Sequence, residues 1–162
     1  LLLRPWDERF QDKNWHPRTM CAGGGDRQVE VVRGRKISGG TAEGRALVST
    51  EPISFFGGVD ADTGKITEKG HELEGKIIKD TVLVFPHGKG STVGSYTLYR
   101  MKRNGVAPKA IVNVESEPIV AVGAIISEIP ALDKLEKDPL TFLRTDMKVR
   151  VNADNSTLEI LD

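Results

Sequence analysis

The chain has 162 residues, 38% of them hydrophobic, with one cysteine and 23 basic residues against 23 acidic ones. That size and apolar content suit one globular domain, and the zero formal net charge gives no electrostatic case for nucleic acid or an anionic membrane. No apolar run approaches the ~20 residues of a membrane span, and the single Cys21 excludes an internal disulfide or an all-cysteine metal site within the chain; a cytoplasmic protein is expected.

Residues 1–28 show neither helical nor strand periodicity, with Trp6, Trp15, Phe10, Pro5, Pro17 and Gly23-Gly24-Gly25 scattered through them. Leu1-Leu2-Leu3, followed at once by Arg4 and Asp7, is too short for the apolar core of a signal peptide. We expect a disordered extension over 1–28 and a single domain over 29–162. Val29-Glu30-Val31-Val32 alternates as a strand does, and Gly39-Gly40 interrupts the chain. Ala46-Leu47-Val48 and Ile53-Ser54-Phe55-Phe56 read as strands, and Gly57-Gly58-Val59-Asp60 and Asp62-Thr63-Gly64 as turns. Lys76-Ile77-Ile78 and residues 81–85 read as strands. A turn rich in Gly and Ser follows, then a helix over 93–104, with Val93, Tyr96, Leu98 and Met101 near helical spacing and Gly105 as its stop. A buried strand is predicted over 110–114. Glu117-Pro118 opens a second helix, reaching residue 126, because Pro suits a first helical turn. Residues 129–132 resemble a short strand and 139–143 a short helix or turn. Residues 148–152 and 157–161 alternate around Ala153-Asp154-Asn155-Ser156, a hairpin signal. This order gives a mixed α/β domain, with a largely β body, two helices on one side and a C-terminal hairpin.

Where the apolar run 81–85 hands over to the helix stands Gly88-Lys89-Gly90-Ser91-Thr92. A P-loop needs its Lys one position later, and Gly88, Gly90 and Gly94 miss the dinucleotide fingerprint by one residue, so nucleotide binding is disfavoured. Free amides and the positive helix end favour anions there. The Ser91 hydroxyl can be a helix cap or a reactive oxygen, and a serine acts as a base only where its alkoxide is stabilised by a cation, amides or a helix terminus. His16, His71 and His87 lack the spacing of a helical metal pair, and Gly-x-Ser-x-Gly is absent. His87 reads as a solvated loop residue. Asp60 and Asp62 read as turn caps, because a calcium loop's spacing is incomplete.

Three blocks, taken together in their order, resemble the small subunit of the aconitase X family: residues 49–60, residues 62–66 and Gly88-Lys89-Gly90-Ser91-Thr92-Val93-Gly94-Ser95. Residues 105–112 and Gly123-Ala124 also fit, so the resemblance covers about 29–132 and leaves the N-terminal extension and the tail outside. His71-Glu72 stands where the family suggests His-Pro. The resemblance implies a swivelling β/β/α domain. It implies a two-subunit hydro-lyase dehydrating (R)-5-phosphomevalonate to trans-anhydromevalonate 5-phosphate in an archaeal mevalonate pathway. It implies a large partner subunit, as a heterodimer or higher assembly, whose cysteines bind a [4Fe-4S] cluster; the open iron would act there as a Lewis acid on the substrate. By position in the block, the family's proton-accepting serine falls on Ser91. Lys89, Gly90, Thr92 and Ser95 are candidate substrate contacts by proximity to it, and no metal ligand is expected in this chain. Two other readings stay open: the small subunit of a hydroxyproline dehydratase, and a non-catalytic binding or assembly module in which Ser91 only caps a helix.

Overall fold

The computed structural model describes residues 30–161; the expected extension over 1–28, Cys21 and His16 lie outside the described residues. The strands are β1 (Glu30–Arg33), β2 (Arg35–Ser38), β3 (Thr41–Val48), β4 (Val82–Phe85), β5 (Ala110–Asn113), β6 (Ala131–Asp133), β7 (Lys148–Asn152) and β8 (Thr157–Ile160). The helical segments are α1 (Phe55–Gly58), α2 (Gly94–Arg103), α3 (Pro118–Ser127) and α4 (Pro139–Phe142).

The continuous apolar runs of β4 and β5 are buried at every position, as strands covered on both faces must be. Their alternate side chains divide between two cores. Val82, Val84, Ala110 and Val112 join Leu132, Val149, Val151 and Leu158 in one cluster. Leu83, Phe85 and Ile111 join Leu98 and Met101 of α2 and Val120 and Ala124 of α3 in the other. The result is antiparallel sheet, parallel sheet and helices in three layers, the β/β/α arrangement that the resemblance implied.

Two strand runs are shared between the sheet layers. The first part of β3, Thr41 to Arg45, pairs antiparallel with β7, while Ala46 to Val48 pair in parallel with β4. β1 pairs with β8 and β2 with β6, with only Gly34 between them. The strand order is β1-β8-β7-β3-β4-β5-β6-β2, so consecutive strands stand at opposite ends and the sheet curls back on itself through one residue. A Cβ on Gly34 would lie 2.5 Å from Leu135 Cδ2 and 2.9 Å from the Asp133 carbonyl oxygen. Nearby, Arg35 donates from Nε and Nη2 to the buried Asp133 carboxylate at 2.9 and 2.7 Å, which also takes the Ser116 amide at 2.8 Å. Hydrogen bonding to Asp133 first, and its charge second, hold the Arg35 guanidinium protonated more firmly than usual.

Two expected strands are corrected. Ile53-Ser54-Phe55-Phe56 forms one parallel bridge, Ile53 with Gly88, and then turns into α1, with Gly57 at φ +92°. Ile53 and Phe55 are buried for packing, which mimics strand alternation without a partner strand. Lys76-Ile77-Ile78 contributes one bridge, Lys65 with Ile77, and Ile77 is 48% exposed. β2 was not expected, because Arg35 and Lys36 hide an edge strand's pattern. The hairpin of β7 and β8 and the short helix α4 lie where the sequence suggests.

Candidate active site

The crossing from β4 to α2 runs over the carboxyl end of the parallel strands, where open α/β sheets place ligands. Its path is fixed by the backbone of Ile53, whose N–H donates to the His87 carbonyl at 3.3 Å and whose carbonyl accepts the Lys89 N–H at 3.1 Å. Gly90 then turns the chain at φ +92°, and a Cβ there would stand 2.7 Å from Ser54 Oγ. A side chain at position 90 is therefore barred both by conformation and by space.

Ser91 and Thr92 are both exposed. Ser91 Oγ accepts the Val93 N–H at 3.1 Å, so one amide already faces the oxygen on which an alkoxide's charge would rest. The first donors of α2 turn back to the loop, Gly94 to the Ser91 carbonyl at 2.9 Å and Ser95 to the Thr92 carbonyl at 3.2 Å. The amides of Gly90, Ser91 and Thr92 meet no acceptor among the described residues. No acidic residue occupies the first turn of α2. Successive free amides before an acid-free helix start form an anion cradle.

Beside the cradle lies an open groove of about 360 Å³ lined by Ser54, Phe56, Gly57, Gly58, Glu68, Lys89 and Gly90. Lys89 Nζ stands at its wall, 2.9 Å from Glu68 Oε2. Ser54 Oγ donates to the Phe56 carbonyl at 2.9 Å. Of the residues singled out from sequence, the fold brings Lys89, Gly90, Ser91 and Thr92 together. Ser95, expected as a substrate contact, is instead 8% exposed and donates its hydroxyl to the Ile119 carbonyl at 2.7 Å, tying α2 to α3. Sequence reasoning missed Ser54, Phe56 and Glu68. Gly57-Gly58 flagged the turn that carries Phe56, while nothing local marks Glu68, which reaches Lys89 across 21 residues.

The histidines and aspartates singled out from sequence have local partners among the described residues. Buried His71 accepts the Leu73 N–H on Nδ1 at 3.0 Å, so its proton sits on Nε2, which donates to the Pro52 carbonyl at 2.9 Å. The His87 side chain is exposed, with Nδ1 2.7 Å from the Gly88 carbonyl. Asp60 caps its turn by accepting the Asp62 N–H at 2.8 Å, and Asp62 faces Arg100 at 3.5 Å. Among the described residues no three His, Cys, Asp or Glu side chains gather as a metal site.

The aconitase X swivel domain matches residues 31–160. The chain belongs to the aconitase X swivel-domain family. The match continues past Leu132 and so takes in the tail, which the sequence resemblance had left out. In curated sequences, the phosphomevalonate dehydratase small subunit of Methanosarcina mazei is 60% identical over 129 residues, covering 80% of this chain and 90% of that protein. The protein of the same name from Thermococcus kodakarensis is 53% identical over 131 residues, covering 81% and 96%. A crystal structure of Thermococcus kodakaraensis aconitase X in its holo-form superposes with a TM-score of 0.78 at 52% identity, covering 82% of this chain and 99% of that one. That structure shares the fold of this chain, and no helix among the described residues is long and apolar enough to cross a membrane.

Proposed function

We propose that this chain is the small subunit of a two-chain hydro-lyase that dehydrates (R)-5-phosphomevalonate to trans-anhydromevalonate 5-phosphate, and that Ser91 is its proton acceptor. The observation that carries this reading is the exposed Ser91 oxygen, already faced by the Val93 amide at 3.1 Å and set among free amides at an acid-free helix start. The shared name of relatives at 50–60% identity supports the substrate and the two-chain assembly.

The chemistry assigned to this chain is proton removal and anion binding. Ser91, as alkoxide, takes the proton from the carbon beside the substrate carboxylate. The C–H electrons form the new double bond as hydroxide leaves the neighbouring tertiary carbon. The amides of Gly90, Ser91 and Thr92, the Thr92 hydroxyl and the Lys89 ammonium hold substrate oxyanions, so negative charge develops against fixed donors rather than water. The family resemblance implies an iron–sulfur cluster. One cysteine does not fit such a cluster's ligand set, so the cluster is assigned to the large subunit, and no step is drawn through it. The outer face of α3, with Val122, Ile125 and Ile126 exposed and no charged side chain, supports a surface covered by a partner.

The test is anaerobic reconstitution with the large subunit, comparing wild type with Ser91→Ala. Loss of a general base should lower turnover by roughly 10²–10⁴-fold while the complex still assembles. Unchanged turnover would return Ser91 to a capping role, and full activity of this chain alone would overturn the two-chain reading.

A further inference from the structure

The geometry points to Glu68 as a positioning residue, a carboxylate that occupies the Lys89 ammonium until an oxyanion of the substrate displaces it. This inference rests on the proposed hydro-lyase reading for its substrate, and on the groove alone for its mechanism. The groove wall carries one cation and one anion, Lys89 and Glu68, in contact at 2.9 Å.

Both partners are anchored through their backbones on different segments. The Lys89 amide is bonded to Ile53, and the amides of Thr67 and Glu68 both donate to the Gly58 carbonyl at 2.9 and 3.3 Å. The Glu68 side chain lies over Gly58, where a Cβ would stand 3.2 Å from Oε1 and 3.6 Å from Glu68 Cβ. A side chain at 58 would crowd the carboxylate, so the glycine is part of its seat. The pair therefore spans the groove from the 58–68 segment to the cradle loop. Lys89 lies within two residues of Ser91, with its ammonium at the groove wall.

The side chains are 44% and 30% exposed, so their attraction is water-screened and weak. Such a pair is easily exchanged. A phosphate or carboxylate that also gains the free amides of Gly90, Ser91 and Thr92 outcompetes a carboxylate that meets Lys89 alone. Glu68 thus acts as a built-in competitor. It competes for the cation and favours ligands with enough anionic oxygens to engage cation and amides together.

The experiment titrates inorganic phosphate and, separately, acetate into the full-length chain, following the amide resonances of Gly90, Ser91 and Thr92. It compares wild type, Glu68→Gln and Lys89→Ala, with the melting temperature of each. Glu68→Gln should tighten binding of one of the two anions by roughly threefold, an effect that shrinks with added salt, and Lys89→Ala should abolish it. Which anion responds tells whether the site takes the phosphate or the carboxylate of the substrate. In the reconstituted complex, Glu68→Gln should lower KM by a similar factor with kcat unchanged. A lowered melting temperature with unchanged or weaker anion binding would make Glu68 merely structural and overturn the inference. Anion binding that behaves as described in a complex that does not turn over 5-phosphomevalonate would sink the substrate reading and leave the exchange standing.

Discussion

The fold makes the same move twice, and makes it differently. Both β4 and β5 are buried parallel strands that cross over to a helix, and α2 and α3 pack side by side against the same sheet face. The second crossing is closed. Glu117 takes the Ile119 amide on Oε2 at 2.8 Å and the Val120 amide on Oε1 at 2.9 Å, and Pro118 has no amide to satisfy. The first crossing is longer and open, with three amides unmet among the described residues and no acidic side chain at its helix start. The chain thus supplies its own carboxylate at one helix start and none at the other. The two also touch, since a Cβ on Gly88 would stand 2.6 Å from Glu117 Oε1 and from Val120 Cγ2.

Among changes to the two crossings, filling the open one has the largest expected effect. Thr92→Asp would place a carboxylate in the open cradle. Turnover of the complex should fall at least about tenfold through competition with the substrate anion, while acidic charge near the helix start adds about 0.5 kcal/mol of stability in denaturant melts. A variant that keeps full activity would mean the open start is not the anion site. Gly88→Ala sharpens the contact between the crossings. It should destabilise by about 1–3 kcal/mol through overpacking against Glu117 and buried Val120, read by chemical denaturation. Glu117→Ala opens the closed crossing and should cost about 1 kcal/mol, with kcat changed far less than by Thr92→Asp. Ser95→Ala, which cuts the bond from α2 to the Ile119 carbonyl, should cost about 1 kcal/mol and leave KM unchanged. A raised KM would return Ser95 to the substrate contacts.

The closed crossing was legible in sequence because its signals are local: an apolar run, Glu-Pro, then an apolar helix. The strand, Gly-rich turn and helix around Ser91 were legible for the same reason, as was the hairpin of β7 and β8. What misled was local pattern without a partner. Ile53 and Phe55 are buried between the less buried Ser54 and Phe56 as in a strand, yet only one bridge forms, Ile53 with Gly88 through its bonds to His87 and Lys89, because the chain then turns into α1 with Gly57 at φ +92°. Glu68 was invisible because its meaning comes from Lys89, 21 residues further on, and the irregular path from Thr67 to β4 carries no periodicity that would bring the two together. Ser95 was placed by sequence neighbourhood to Ser91, but one helical turn rotates it from the open loop into the contact with α3.

The pairing of β1 with β8 also has a consequence in time. Glu30 finds its partner in Ile160, 130 residues further along the chain. At synthesis rates of about 5–20 residues per second, β1 waits about 7–26 seconds on the ribosome before its partner exists. Contacts this distant in sequence make folding slow. The nascent chain, with β1 unpaired and the curl through Gly34 not yet closed, is therefore the state most open to aggregation and to chaperones.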